Sequence, residues 1–348
     1  MIENSKLSNP TAIPSVSRAA GDARHATRPW NAVFSLVERD LDQVEAILER
    51  ELHSDIPVVQ QVLNHLGQYR GKRLRPALLL LAGRLCGQTG PDHHLLAAVL
   101  EMIHTATLVH DDILDGARLR RHLPTVHCSW GVPAAVLAGD FLFSHAFTLA
   151  SQTGSTLACQ LIGQATNRVC EGEMRQTLQQ GRLDLDECEY LAIIRGKTAE
   201  LTSLACRLGA LLARASLEQT DALARYGLHL GLAFQIADDL LDLLGKEETT
   251  GKSLGTDWLQ LKVTLPVIYH WRSLPAAQRA RFAQDCLQGQ LSLVQLRQRL
   301  QRSGALARAR RRAELEAQLA QQALSLFPNS PERLALETLA RLCLHRDT

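Results

Sequence analysis

Aromatic residues are scarce, only 4% of the 348-residue chain, which argues against a core built from sheets, where aromatic and β-branched side chains concentrate. A charge excess of one sign is also missing. The 38 Lys+Arg and 36 Asp+Glu leave a net +2, so nothing draws the whole chain toward nucleic acid or an acidic membrane. None of the eight cysteines, Cys86, Cys128, Cys159, Cys170, Cys188, Cys206, Cys286 and Cys343, forms a CxxC pair. In a chain this long they read as reduced, mostly buried apolar residues of a cytoplasmic protein, not as a disulfide scaffold. No apolar run approaches the ~20 residues that cross a bilayer; the best, from Val132 to Phe143, is interrupted by Asp140. The first thirty residues lack the continuous apolar stretch of a signal peptide and read as a flexible tail, residues 1–30.

What is present is a helical vocabulary. Hydrophobic residues make up 46% and charged residues 21%, enough to bury a large core. The long segments use Leu, Ala, Gln, Glu and Arg, the strong helix formers. From Asn31 onward apolar residues recur every three or four positions, as in Val33, Leu36, Val37, Leu41, Val44 and Leu48. Glycine and proline breaks cut the chain into roughly a dozen helices. None of the breaks is a long linker, so residues 31–348 are expected to form one large all-α helical bundle. Two breaks stand out, Gly116 to Gly131 and Gly245 to Asp257, because each is a charged loop directly after an acidic helix end.

Those acidic ends carry the chemistry. The chain contains His110-Asp-Asp-Ile-Leu-Asp115 and, later, Ala237-Asp-Asp-Leu-Leu-Asp242. At ~1.5 Å rise per residue, positions i and i+4 project from one helix face about 6 Å apart, so Asp111 pairs with Asp115 and Asp238 with Asp242. Like charges at that spacing repel, and a helix C-terminus adds its own negative end. Hard oxygen ligands with no His or Cys inside the sets select Mg²⁺ over Zn²⁺, and Mg²⁺ shares its shell with phosphate oxygens. One such set could be a solvated helix end. Two, each after an apolar helix, point to facing carboxylates that hold Mg²⁺ and a diphosphate.

A diphosphate also needs cations and donors. Lys72 and Arg75 stand at the start of an apolar helix, Arg120 and Arg121 follow the first acidic set, Lys197 and Thr198 precede another apolar helix, and Lys252 and Lys262 follow the second set. Each alone is a surface cation; together they surround the acidic ends.

The order GKRLRP, ExxH (Glu101 to His104), HDDILD, RRHLPT, GDFLF, EGEMRQ, GKTAEL, FQIADDLLD, GKSLGTD and KVTLP resembles the trans-polyprenyl diphosphate synthase family, the all-α isoprenoid synthases, over residues 31–348. The resemblance implies condensation of isopentenyl diphosphate with an allylic diphosphate, several Mg²⁺ ions, three per site, and a homodimer. It makes Asp111, Asp115 and Asp238 the main Mg²⁺ ligands, with Asp112, Asp239 and Asp242 assisting. Lys72, Arg75, His104 and Arg121 match the isopentenyl diphosphate site; Arg120, Lys197, Thr198, Gln235, Lys252 and Lys262 match the allylic site. Lys197, Thr198 and Gln235 are also the groups expected closest to the reacting carbons. The chain departs from the family pattern at Arg70, His122 and Leu261, where glycine is usual.

Product length would be set beside the helix that carries Asp111. Ala106 and Thr107 lie five and four positions before it, with Ile103 and Met102 deeper. One helical turn, about 5.4 Å, is close to one isoprene unit. In the family an aromatic at the first two positions stops the chain early. Here the first level is open, which favours a long-chain product, delivered to membrane enzymes, over farnesyl or geranylgeranyl products. Three other readings are weighed. A terpene cyclase would not need Lys72, Arg75, Arg120 and Arg121. A non-catalytic partner subunit of a heteromeric synthase would be expected to have lost an acidic set. The Arg297 to Arg312 run has no interleaved aromatics and is followed by Glu314 and Glu316, so it reads as a solvated helix face and not as a nucleic-acid patch.

Overall fold

The computed structural model describes residues 28–69, 71–245 and 255–344. Lys252 and Arg70 lie outside these residues, as does most of the tail read over residues 1–30. Helix α1 begins at Arg28 (Arg28–Phe34), three residues before the expected domain boundary. It is followed by α2 (Glu38–Glu51), α3 (Pro57–Gly67), α4 (Leu74–Leu85) and α5 (Pro91–Leu114). A two-stranded antiparallel hairpin, β1 (Leu119–Arg120) and β2 (Leu123–Pro124), comes next. The chain continues as α6 (Val126–Trp130), α7 (Val132–Gln152), α8 (Thr156–Leu178) and α9 (Glu187–Ile194). A π-helical turn (Arg195–Ala199) joins α9 to α10 (Glu200–Leu212), which is followed by α11 (Leu217–Leu244). The last segments are α12 (Thr256–Leu259), α13 (Leu265–Ser273), α14 (Ala276–Leu287), α15 (Leu293–Arg302), α16 (Ala305–Ala323) and α17 (Pro331–Leu342). The all-α expectation holds apart from the hairpin, which occupies the first of the two unusual loops.

The central helix is α4. Every residue from Pro76 to Gly83 is buried, as expected of a helix apolar on all sides, and it packs against α5 and α10. One core cluster surrounds it; a second gathers Leu183, Tyr190, Ile236, Trp258 and Leu296 around the far part of α11. The two acidic helices owe their position to this core. Helix α5 starts with Pro91 in its first turn, where proline's missing N–H costs nothing, and stops just before Gly116, whose φ of +61° suits glycine. Helix α11 starts on a reciprocal Ser216–Gln219 capping box and runs 28 residues to the second acidic set.

Two expectations need correction. Helix α7, 21 residues long, is by length and composition apolar enough to cross a membrane despite Asp140, because one charge in such a run lowers its mean hydropathy little. One face of it, including Ala135, Leu142, Ala146 and Leu149, is buried toward α5, while Val132, Val136 and Leu137 are exposed. All eight cysteines are free, as expected, but only Cys206, Cys286 and Cys343 are buried.

Candidate active site

The segment from Gly255 to Lys262 ties the two acidic ends together. Its beginning is bound to α11: Gly255 N–H donates to the Asp242 carbonyl (3.0 Å), and Thr256 Oγ1 to Asp242 Oδ1 (3.1 Å). Its end is bound to α5: Gln260 Nε2 donates to the Asp115 carbonyl (2.8 Å), and Lys262 Nζ to Asp115 Oδ1 (2.6 Å). Asp257 lies between them. Burial pushes its carboxyl up to about 6, reinforced by Asp242 and opposed by Lys262 and Lys197.

Lys197 reaches into the same space. Its Nζ is 4.0 Å from Asp111 Oδ2, 2.8 Å from Glu173 Oε2 and 3.0 Å from Gln176 Oε1. Burial disfavours its charge, but Asp111 and Glu173 outweigh that and hold the ammonium above its usual range. Burial in turn pushes Asp111 up to about 6, with Lys197 acting against the rise. Lys197 and Thr198 do not sit at a helix boundary, as the sequence suggested. They occupy the π turn inside continuous helix, and such turns gather at functional sites. Close approach to α8 fixes this turn: a Cβ on Gly172 would come within 2.6 Å of Lys197 N, and one on Gly196 within 2.7 Å of the Arg168 carbonyl.

Asp112 and Asp239 are already engaged. Arg120, carried by the hairpin, donates through Nε to Asp112 Oδ1 (2.7 Å), while Asp112 Oδ2 is buried without a partner. Asp239 accepts from Tyr190 Oη (2.6 Å) and from Gln235 Nε2 (2.8 Å), and Gln235 Oε1 accepts from Thr198 Oγ1 (2.6 Å). Burial, followed by the nearby Asp257, drives the Asp239 carboxyl well above the usual carboxylate range.

Beside the first acidic set lies a cluster of donors. Arg75 makes no hydrogen bond or ion pair among the described residues, and its Nε is shut away from water with no partner; burial lowers its pKa. His104 lies close by, held well below its ordinary value by burial and then by Arg75, Arg121 and Arg120. Arg121 donates to the Tyr69 carbonyl, and its guanidinium lies against Gly71, where a Cβ would come within 2.5 Å and displace it. Lys72 Nζ lies 5.2 Å from the centre of the Trp30 ring. Arg75, His104 and Arg121 thus come together near the start of α4, while the Lys72 ammonium lies over Trp30. A buried donor with no partner is costly, and an anion would satisfy it.

The chain-length residues separate. Ala106, Ile103 and Met102 are buried and Thr107 is half-buried. At 100° per residue Thr107 and Ile103 flank the Asp111 face, whereas Met102, nine positions away, points to the opposite side. It lines a cavity of about 290 Å³ together with Glu45, Leu63, Tyr69, Arg73 and Leu142. Part of the arginine-rich C-terminal run is spent internally: Arg299 pairs with Asp285, Arg308 with Glu187, and Arg312 with Glu187 and Glu316.

The sequence reading missed Tyr190, Glu173, Gln176, Asp257, Arg73 and Glu45. Glu173 and Asp257 stood inside quoted motifs without an assigned role, and acidity next to EGEMRQ and GKSLGTD was the available signal. A lone tyrosine in an apolar helix carried none.

Residues 56–297, more than half of the chain, match the family model described as Polyprenyl synthetase. The chain belongs to that family. It is similar to the all-trans-nonaprenyl-diphosphate synthase (geranyl-diphosphate specific) of Rhodobacter capsulatus, 38% identical over 90% of this chain and 97% of the relative. It is also similar to the octaprenyl diphosphate synthase of Escherichia coli K12, 36% identical over 90% of this chain and 98% of the relative. Among solved structures, the polyprenyl synthase of Caulobacter crescentus CB15, complexed with calcium and isoprenyl diphosphate, superposes with a TM-score of 0.86 at 38% identity, covering 92% of this chain and 98% of the other. As a polyprenyl synthetase, the chain has a donor set that suits a hard divalent cation. The two ends offer carboxylate oxygens, several desolvated and one, on Asp112, without a partner. Mg²⁺ is an ion that takes one or two carboxylates and completes its shell with phosphate and water.

Proposed function

We propose that this protein joins isopentenyl diphosphate to an allylic diphosphate, repeatedly, and releases a long all-trans polyprenyl diphosphate. The observation that carries the reading is the Gly255–Lys262 segment, which ties Asp242 of one acidic end to Asp115 of the other, with Lys197 beside Asp111 and an unpartnered Arg75 near His104. Asp111, Asp115 and Asp238 would hold Mg²⁺, up to three ions shared with the allylic diphosphate; Asp112, Asp239 and Asp242 assist by keeping their helix ends in place. Bound Mg²⁺ supplies charge neutralisation for the departing diphosphate.

In this reading Lys197, Lys262 and Arg120, with Lys252, bind the allylic diphosphate and stabilise the negative charge that grows as its carbon–oxygen bond breaks. The leaving diphosphate takes both electrons of that bond, and an allylic cation remains. Thr198 and Gln235, linked to each other and through Asp239 to Tyr190, present fixed dipoles to the cation. Lys72, Arg75, His104 and Arg121 orient isopentenyl diphosphate so that its double bond attacks the cation. A new carbon–carbon bond forms, and the released diphosphate accepts the proton lost from the condensed product. No protein nucleophile is required.

Thr107, Ala106 and Ile103 border the path of the growing chain, with no aromatic at the first two positions; Met102 faces the other cavity. A second copy of the chain covers the exposed apolar face of α7, forming a homodimer. The reading also places the protein in the cytoplasm, handing its product to membrane enzymes.

The test is purified protein with Mg²⁺, isopentenyl diphosphate and an allylic primer, with products separated by chromatography. Extended diphosphates are expected in the parent and not in Asp111→Ala or Asp238→Ala. No extended product from the parent would sink the reading. Thr107→Phe is expected to shorten the product, while Met102→Phe leaves its length unchanged.

A further inference from the structure

Two arginines stand two residues apart at the start of α4 in opposite states. Arg75 is unpartnered, whereas Arg73 is fully committed: its Nε and Nη2 donate to the two oxygens of Glu45 on α2, the latter at 3.1 Å, and its Nη1 donates to Glu101 Oε1 on α5 at 2.8 Å. Glu101 is buried and Glu45 partly so, with side chains 5% and 32% exposed.

We propose that Arg73 is a positioning residue for the isopentenyl diphosphate half of the site, acting through this two-carboxylate clamp. The inference rests on the function proposed above and names what holds its acceptor subsite in place. Arg73 lies between Lys72 and Arg75, and its backbone is left-handed, with φ 49° and ψ 38°. That kink sets the directions in which its two neighbours leave the chain. Glu101 precedes His104 by three residues on α5, one helical turn away on adjoining faces. A single guanidinium therefore fixes the start of α4 against the turn of α5 that carries His104, and against α2. Its planar fork suits such a junction because both carboxylates meet it in fixed directions, which an ammonium cannot impose. With its charge consumed by two carboxylates, Arg73 does not compete with Arg75 for the diphosphate.

The experiment separates the clamp from the backbone bend. Arg73→Gly keeps the left-handed conformation accessible and removes the fork; Arg73→Lys keeps the charge; Glu45→Gln weakens one arm at a partly exposed position. Steady-state constants are measured for both substrates, with thermal melts to check folding. Arg73→Gly is expected to raise the KM for isopentenyl diphosphate about tenfold or more, leaving the KM for the allylic diphosphate within about twofold. Arg73→Lys and Glu45→Gln should fall between it and the parent. Unchanged KM for isopentenyl diphosphate in Arg73→Gly and Glu45→Gln, or an equal rise for both substrates, overturns the inference. If Arg73→Gly does not fold, Glu45→Gln decides by the same two constants. A parent without elongation activity overturns the proposed function instead. The clamp is then judged by calorimetry with isopentenyl diphosphate, where equal affinity of the parent and Glu45→Gln rejects it.

Discussion

The two acidic helix ends have nearly the same sequence, but the second aspartate of each is held by a different kind of group. At the end of α5, cations from three other segments approach the carboxylates: Arg120 from the hairpin on Asp112, Lys197 from the π turn near Asp111, and Lys262 on Asp115. At the end of α11 the hydrogen bonds that hold Asp239 and Asp242 come from neutral groups. Tyr190 and Gln235 hold Asp239, and Thr256 with the backbone of Gly255 and Asp257 holds Asp242. Asp257 then adds another carboxyl beside them. Equal motifs therefore do not imply equal roles. Asp112 is held by a guanidinium, whereas Asp239 and Asp242 are held by hydroxyl, amide and backbone donors.

The contrast can be broken most severely at its centre. Asp238→Ala and Asp111→Ala should each lower turnover by at least about a thousandfold, the several kcal/mol that metal-assisted neutralisation supplies. Less than about tenfold loss in Asp238→Ala would remove the second end from the chemistry. The next effect concerns stability. Arg120→Ala leaves the buried Asp112 unpaired and should cost about 3–5 kcal/mol in urea unfolding, whereas Tyr190→Phe, which removes a neutral donor, should cost about 1–3 kcal/mol. Equal losses would erase the distinction between cationic and neutral holding.

A subtler effect is a gain. Burial raises the folded-state pKa of Asp111 from 3.8 to about 6, so the folded form binds its proton more tightly than the unfolded chain does. The stability contributed is full below the lower value and is lost as pH rises through the upper one. Without divalent cations, Asp111→Asn should therefore be more stable than the parent at pH 8, on the order of 1–3 kcal/mol. The advantage should vanish near pH 4; a difference that persists there would show another cause. The smallest effect lies in the loops beyond each end. His122 and Leu261 have φ of +67° and +54°, and glycine at either position should raise the urea midpoint by the equivalent of about 0.5–1 kcal/mol, more at Leu261.

Those two residues show how the sequence carried its information. The family pattern places glycine at both positions, and the backbone adopts the left-handed conformation that glycine favours, although the residues differ. The acidic ends, the helical class and the surrounding cations were legible because each is written in local spacing. The hairpin was not: its strands are two residues each, too short for an alternating pattern. The π turn escaped because its five residues, Arg195–Ala199, are too few to show a period of their own. Arg73, Glu45 and Tyr190 were invisible for a different reason. Their partners lie 28 residues away for Arg73 and Glu45 and 49 residues away for Tyr190 and Asp239, and only folding brings them together. Met102 illustrates a related trap: it was counted as one floor further down, but angle around a helix, and not distance along it, decides which room a side chain enters.

Gly172 and Gly196 give α8 and the π turn a shared mechanical fate. Where two backbones touch without side chains between them, no rotamer can relieve a clash, so a side chain added at Gly172 or Gly196 must move main chain. The gap between α8 and the turn that carries Lys197 is thus set by main chain alone, and a single methyl group is enough to widen it.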